Sequence, residues 1–172
     1  IFDWSRVIFS DETTIELGSK SEFKWEFEDE NLVISVDKFP TKQMFWACFD
    51  CKGQSSLVPI TGTLNGERYK RLLSHHLSRF ICHVPSRKRS VFQQDNARPH
   101  ISKIVRTWFI KNKVRTLWWP PNSPDLNPIE NLWGSLKQAV WQRMPKNRQQ
   151  LIRFAQEEWN SISAEKLISL VN

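Results

Sequence analysis

Three carboxylates in this chain sit where carboxylates can do chemistry. Asp11 follows the apolar run Val7-Ile8-Phe9 through Ser10, and Asp95 directly follows Val91-Phe92-Gln93-Gln94. Both runs read as buried strands. In open α/β sheets, functional groups gather at the carboxyl ends of strands. If these two strands are parallel neighbours, Asp11 and Asp95 converge at one sheet edge. Glu130 stands in the first turn of the best-signalled helix, about 100° around the wheel from Ile129. That is the margin of the apolar face, from which a side chain can look toward the sheet edge. Three converging carboxylates repel one another unless a cation lies between them. All-oxygen ligands favour Mg²⁺ or Mn²⁺ over zinc. Two such ions about 4 Å apart stabilise both the attacking and the leaving oxygen of a phosphoryl displacement. Taken singly, each residue has a plainer reading: an Asp as a turn residue, a Glu as the closing member of a capping box.

The elements that must position these groups follow from periodicity and punctuation. Val7 to Phe9 is expected to end as a strand at Ser10-Asp11, with Ile15 to Leu17 and Phe23 to Phe27 as further strand around a turn. Residues 28–42 are charged and loop-like. Met44 to Phe49 reads as a third strand, and Leu57 to Ile60 as a fourth that Pro59 confines to an edge or an end. Asn65-Gly66 signals a turn. Over 67–81 the period changes, with Tyr69, Leu72, Leu73, His76, Leu77 and Phe80 at helical spacing. Val91 to Gln94 is again strand. Ile101, Ile104, Val105, Trp108 and Phe109 mark an amphipathic helix, and Leu117 to Trp119 a short strand. Residues 120–128 hold four Pro in nine positions. Asn127 suits an N-cap and Pro128 the first helical position, before Ile129, Leu132, Trp133, Leu136 and Val140 on one face. Residues 148–160 and 164–171 read as two more helices. No repeat, low-complexity tract or linker interrupts residues 1–172, so one domain is expected. Strands followed by alternating helix and strand make a mixed α/β sheet flanked by helices. An antiparallel opening meander followed by parallel crossovers fits a ribonuclease-H-like fold.

Composition narrows the partners. Lys and Arg number 25 against 18 Asp and Glu, a net charge of +7, and the pI is about 9.5. A basic balance favours a polyanion, most often nucleic acid. Glu22, Glu26, Glu28, Asp29 and Glu30 form an acidic cluster. Arg87, Lys88 and Arg89 form a basic run, and Lys103, Arg106, Lys111, Lys113 and Arg115 a looser one. Solvated faces account for such runs equally well. A chain with 40% hydrophobic and 12% aromatic residues is not disordered. No apolar run approaches the roughly 20 residues that cross a bilayer, and no secretory signal is visible, which reads as soluble and intracellular. Cys48, Cys51 and Cys82 are expected as reduced thiols packed like small hydrophobes. A zinc site from Cys48-x-x-Cys51 with Cys82-His83 is disfavoured, because Cys48 lies in a strand-like run and the intervening chain is long. The chain begins at Ile1 and is expected to be part of a longer protein.

Three stretches carry a resemblance. Val7-Ile8-Phe9-Ser10-Asp11-Glu12, Phe92-Gln93-Gln94-Asp95-Asn96-Ala97-Arg98-Pro99-His100, and the proline-punctuated string from Trp119 through Pro124-Asp125-Leu126-Asn127-Pro128-Ile129-Glu130 to Gly134 resemble the Tc/mariner superfamily of cut-and-paste DNA transposases. Between Asp95 and Glu130 lie 34 residues (130 − 95 − 1). That spacing, with Glu as the third acid, is that of the Tc-type branch, whereas the mariner branch usually has Asp. The resemblance implies an Asp-Asp-Glu triad at Asp11, Asp95 and Glu130 that holds two Mg²⁺ or Mn²⁺. It implies attack of water on a phosphodiester at a transposon end, then attack of the freed 3′-hydroxyl on target DNA at a TA dinucleotide. It also implies DNA as partner, a homodimer on paired ends, work in the nucleus, and N-terminal helix-turn-helix domains that lie outside this chain. Two places depart from the pattern. Lys38-Phe39-Pro40-Thr41-Lys42 stands where members often carry a glycine-rich strip. The loop from about 19 to 42 corresponds to a segment that can clamp a partner subunit, so dimer contacts stay open. Near the triad, Arg98, His100, Lys137 and Trp119 are candidates for touching DNA. A structural role fits His100 equally, a solvated lysine fits Lys137, and one of Trp118 and Trp119 is expected in the core. Two other readings remain: a domesticated relic that binds DNA without cutting, and a nuclease with no joining step.

Overall fold

β-Branched residues extend the first strand past its expected stop. In the computed structural model, which describes residues 3–17, 42–121 and 123–171, Val7–Glu16 is one unbroken strand, β1. Thr13, Thr14 and Ile15 favour the pleated conformation, and they pair antiparallel with β2, Lys42–Asp50, from Phe9↔Phe49 to Glu16↔Lys42. Asp11 therefore stands in mid-strand rather than at the strand's end. The expected strand at Phe23 to Phe27, and the segment likened to a partner clamp, lie outside the described residues.

The far edge of β2 is shared by two short strands. β3, Gly53–Gln54, pairs with Phe49 and Asp50, and β4, Val58–Ile60, pairs with Met44 to Trp46. Between them the Ser55 N–H donates to the Cys48 carbonyl (2.8 Å), and the Ser55 hydroxyl accepts the Cys48 N–H (3.0 Å). Pro59 occupies the edge position its missing N–H requires.

Helix α1, Gly66–Leu72, runs through a π-helical turn at Leu73–Leu77 into α2, Ser78–His83. Asn65 is the N-cap of α1, its side chain accepting the Arg68 N–H at 3.0 Å. The Asn65-Gly66 turn signal was thus a helix start. β5, Val91–Phe92, adds parallel to β1, and α3 follows at Lys103–Lys111. β6, Arg115–Thr116, adds parallel to β5 and stops just short of the strand expected at Leu117 to Trp119, none of which is strand. The chain ends in α4, Ile129–Gln142, α5, Arg148–Asn160, and α6, Ala164–Val171. Among the described residues the sheet has six strands in the order β3-β2-β1-β5-β6, with β4 also beside β2. The antiparallel opening and parallel additions match the expected topology. No described helix is long and apolar enough to cross a membrane.

Strand parity sorts the core into two layers. Val7, Phe9, Phe45, Ala47 and Phe49 face α4, α5 and α6, where they meet Trp133, Leu136 and Trp159. Ile8, Trp46, Cys48 and Phe92 face α1 and α3, with Tyr69, Leu73, Val105 and Phe109. Each large apolar side chain so buried contributes roughly 1.5–3 kcal/mol. Within the basic run Arg87 is buried, whereas Arg89 is exposed. Arg87 is 4% exposed and grips the 1%-exposed Asp50 with two hydrogen bonds (2.7 and 2.8 Å) while its guanidinium lies 3.7 Å above the Phe80 ring. Of the thiols, Cys48 is buried and Cys82 exposed.

Two glycines should respond oppositely to one added methyl. A Cβ on Gly66 would stand 2.6 Å from the Ser102 hydroxyl and 3.1 Å from its Cβ, while one on Gly134, mid-way along α4, would meet nothing within 4 Å. Gly66→Ala is expected to lower stability by about 1–3 kcal/mol through overpacking between α1 and the start of α3. Gly134→Ala is expected to raise it by about 0.5–1 kcal/mol. Denaturant unfolding of the two variants checks both signs.

Candidate active site

Asp11 occupies an odd position of β1, so it points to the α4 side. Its cross-strand neighbour on β2 is Ala47, which leaves room above the pleat. The Trp133 indole N–H, from α4, donates to Asp11 Oδ2 at 3.1 Å. Trp133 is itself stacked on Trp159 of α5 (centroids 5.0 Å apart), whose indole N–H donates to the Ser55 carbonyl at 2.7 Å. Two stacked indoles thereby hold the carboxylate in place from the core. Burial, reinforced by the charges of Glu12 and Glu130, pushes the Asp11 carboxyl up to about 7, against the lowering effect of a backbone N–H and of Trp133.

A seam between β1 and β5 brings Asp95 alongside. The parallel register pairs Val7 with Val91 and Ile8 with Phe92. Beyond it the Gln93 N–H donates to the Ile8 carbonyl (2.8 Å), the Ser10 N–H to Gln93 Oε1 (3.1 Å), and the Ser10 hydroxyl to the Gln93 carbonyl (2.8 Å). Counting on from Val7 and Val91 puts Asp11 level with Asp95. The chain then turns through 97–102, and α3 starts only at Lys103. Arg98 and His100 therefore lie in this turn rather than in a helix.

Within the turn, Asp95 Oδ1 accepts the Ala97 N–H at 2.9 Å and bonds His100 Nδ1 at 2.5 Å. His100 is 3% exposed and packs on the Tyr69 ring, and its Nε2 lies 3.3 Å from Glu12 Oε1. Glu12 Oε1 is buried without a hydrogen bond, and the imidazolium charge is its compensation. Burial alone would discharge the ring, yet the two carboxylates raise His100 to about 9. The same contact holds the Asp95 carboxyl below its ordinary value, against a weaker opposing effect of burial.

Glu130 is set by the start of α4. Pro128, not Asn127, holds the N-cap position and α4 begins at Ile129; Asn127 is extended before it, its Nδ2 donating to the Ser10 carbonyl at 3.2 Å and its Oδ1 receiving the Ile129 N–H at 3.4 Å. The first bond ties the helix start to the residue before Asp11. Ile129, Leu132, Trp133, Leu136 and Val140 are all buried, so Glu130, beside that face, is left exposed at the margin.

Asp11, Asp95 and Glu130 line one cavity of about 430 Å³, together with Gln93, Asn96, Trp119 and the prolines of 120–124. Its acidic side chains are all carboxylates, and burial, with the neighbouring charges of Glu12 and Glu130, pushes Asp11 toward the protonated form. Hard oxygen donors with uncompensated negative charge fit a divalent cation such as Mg²⁺ or Mn²⁺. Among the described residues no three His, Cys, Asp or Glu side chains are already closed into a metal cage. Asp11 is turned to Trp133 and Asp95 to His100.

The other sequence candidates divide. Arg98 and Lys137 are exposed and make no ion pair among the described residues. His100 is buried beneath Asp95, and both of its ring nitrogens face carboxylates, of Asp95 and Glu12. Trp119 is 6% exposed and Trp118 81%. One indole of the pair is in the core, as expected, and it is Trp119, which also lines the carboxylate cavity, while Trp118 is open to solvent. Sequence reasoning missed Glu12, Trp133 and the Asn127–Ser10 tie. Strict alternation along β1 would have shown Glu12 on the face opposite Asp11.

A family model described as DDE superfamily endonuclease matches residues 6–152. The chain belongs to the DDE superfamily of endonucleases. Among relatives of this DDE endonuclease, the Tc3 transposase of Caenorhabditis elegans is 36% identical over 176 residues, covering 98% of this chain and 53% of that protein. The Tcb2 transposase of Caenorhabditis briggsae is 30% identical over 167 residues, covering 93% and 61%. The chain spans about half to two thirds of the length of these curated relatives. A pre-cleavage Mos1 transpososome superposes with a TM-score of 0.83 at 19% identity, over 98% of this chain and 52% of that one. The Mos1 catalytic domain with Raltegravir and Mg superposes at 0.77, again at 19% identity, over 98% and 77%. The likeness to Mos1 establishes the ribonuclease-H-like fold, and the Tc-type relatives agree with the resemblance carried by the three motifs.

Stability should fall with pH in two separable steps. Asp11 titrates near 7 when folded and near 3.8 when unfolded, so the folded state binds the extra proton between those values. Rising pH over that window lowers stability. His100, raised from 6.5 to about 9, adds stability that is fully present below about 6.5 and lost as pH climbs through 9. Thermal unfolding in EDTA should show Asp11→Asn removing the first decline and His100→Gln the second. Mg²⁺ should stabilise the wild type at pH 8 and have little effect on Asp11→Asn.

Proposed function

We propose that this chain is the catalytic domain of a cut-and-paste DNA transposase. The observation that carries the reading is the meeting of Asp11, Asp95 and Glu130, from two strands and a helix, in one cavity. The Tc3 and Tcb2 names of its relatives support it. The three carboxylates hold two Mg²⁺ or Mn²⁺. When bound, such a pair supplies the positive charge that a phosphodiester displacement needs at its attacking and leaving oxygens.

The reaction has two displacements at phosphorus. In the first, a water oxygen bonds to phosphorus at the transposon end, the P–O3′ bond breaks, and a free 3′-hydroxyl results. In the second, that 3′-oxygen bonds to a phosphorus of target DNA, at a TA dinucleotide, and the target's own 3′-oxygen leaves. Bond for bond the second step is an exchange, and no protein nucleophile enters it.

The chain's residues organise the site. Trp133 orients the Asp11 carboxylate through its indole N–H. His100 keeps Asp95 ionised and fixes its rotamer. Asn127 keeps Glu130 at the mouth of the cavity by tying α4 to β1. Arg98 and Lys137, both exposed, contact phosphates flanking the scissile bond, where lost counterions favour binding. Helix-turn-helix domains elsewhere in the protein read the transposon ends, a homodimer pairs them, and chromosomal DNA puts the work in the nucleus.

A strand-transfer assay tests this reading. The full-length protein receives pre-cleaved transposon ends and a plasmid target with Mg²⁺ or Mn²⁺. Joined product is expected, and Glu130→Ala should reduce it at least about a hundredfold. Product that persists in that variant would mean the site has been placed wrongly.

A further inference from the structure

A second cavity adjoins the first and shares Asp95, Asn96 and Trp119 with it. It encloses about 890 Å³ and runs from Asp95 and Asn96 past Arg106, Lys113 and Arg115 to Trp118. Asp95, at its inner end, is the one acidic side chain among the residues lining it. Trp118 is 81% exposed and Ile110 78%. Two large apolar side chains thus stand open beside a basic groove that begins at Asp95.

Lys113 stands at the end of α3. It closes α3 in the left-handed region (φ 55°), where its N–H donates to the Ile110 carbonyl (3.1 Å) and the Val114 N–H to the Phe109 carbonyl (3.0 Å). Glycine takes that position at least cost, and another L-residue there costs about 1–2 kcal/mol. Met144 ends α4 in the same left-handed way (φ 46°), so the conformation serves the helix end, and Lys113 enters the groove as one of its lining cations. Arg115 is steadied by donating to the Arg89 carbonyl at 2.7 Å.

Cations that follow a backbone, joined to an open aromatic face, are the pairing that binds single-stranded nucleic acid. A duplex offers no free base face to Trp118. We propose that this groove binds a single-stranded DNA segment next to the scissile phosphate, with Arg106, Lys113 and Arg115 along its phosphates and an unpaired base stacked on Trp118. The assignment rests on the transposase reading for its DNA substrate, but its test needs no catalysis.

Binding of a fluorescein-labelled 12-mer of thymidylate is compared with binding of a 12-base-pair duplex by the full-length protein, in EDTA, by polarisation. Trp118→Ala should weaken single-strand binding about five- to a hundredfold and leave duplex binding within about twofold. Trp118→Phe should keep most of the affinity, because its ring still stacks. Trp141→Ala, an exposed indole on α4 beside a different cavity, should change neither. Arg106→Ala with Lys113→Ala should flatten the salt dependence of single-strand binding. Unchanged single-strand binding in Trp118→Ala, or equal losses on both probes, overturns the proposal. A failed catalytic reading would show in strand transfer and leave these affinities untouched.

Discussion

Mutual repulsion among carboxylates is the constraint around which this domain is built. Asp11, Glu12, Asp95 and Glu130 gather about the middle of the sheet, and two of them are adjacent in sequence. The fold separates the problem by strand parity. Asp11 goes to the α4 side, where an indole N–H meets it. Glu12 goes to the α1–α3 side, where a buried imidazolium meets both it and Asp95. Burial first, and the charges of Glu12 and Glu130 after it, still push the Asp11 carboxyl toward its protonated form, and a cation beside it would favour the charged one. The site is therefore poised rather than neutralised.

The supports of the site reach far into the core. Asp11 leans on Trp133, Trp133 on Trp159, and Trp159 on the Ser55 carbonyl at the break between β3 and β4. Ser55 is bonded back to Cys48 in β2, the strand that also faces Asp11. The circuit is closed: sheet to helix to helix to sheet. Glu130 is held by a different device, the single Asn127 amide that bonds β1 and accepts the Ile129 N–H just before α4. A one-turn slip of α4 would break the Trp133 and Asn127 contacts together. Packed elements with discrete arrangements resist such small displacements.

Much of this was legible in the chain. The apolar face of α4 gave five buried positions out of five, because a long amphipathic helix has one way to bury its stripe. The two final helices matched for the same reason. Asp11 and Asp95 were found because each follows an apolar run, and their meeting requires only that β1 and β5 be parallel neighbours, as they are. Strand ends were less legible. β1 continues through Asp11 because its partner β2 lies some 30 residues away in sequence, and no local signal announces that pairing. His100 and the Trp118–Trp119 pair show the limit most clearly. Whether a His beside an Asp faces outward or inward depends on Tyr69 and Glu12, which come from distant elements. Which of two consecutive indoles is buried depends on where β6 stops, at Thr116, and a two-residue strand carries no periodicity.

The central claim is that Asp11, Asp95 and Glu130 form one divalent-metal centre. The direct measurement is anomalous diffraction at the manganese edge from crystals of the protein with cleaved transposon-end DNA and Mn²⁺. The account predicts anomalous density between the three carboxylates, in contact with Asp11 and Asp95 oxygens and within reach of Glu130. Density elsewhere on the molecule, or none in this cavity with the DNA end seated beside it, would contradict it.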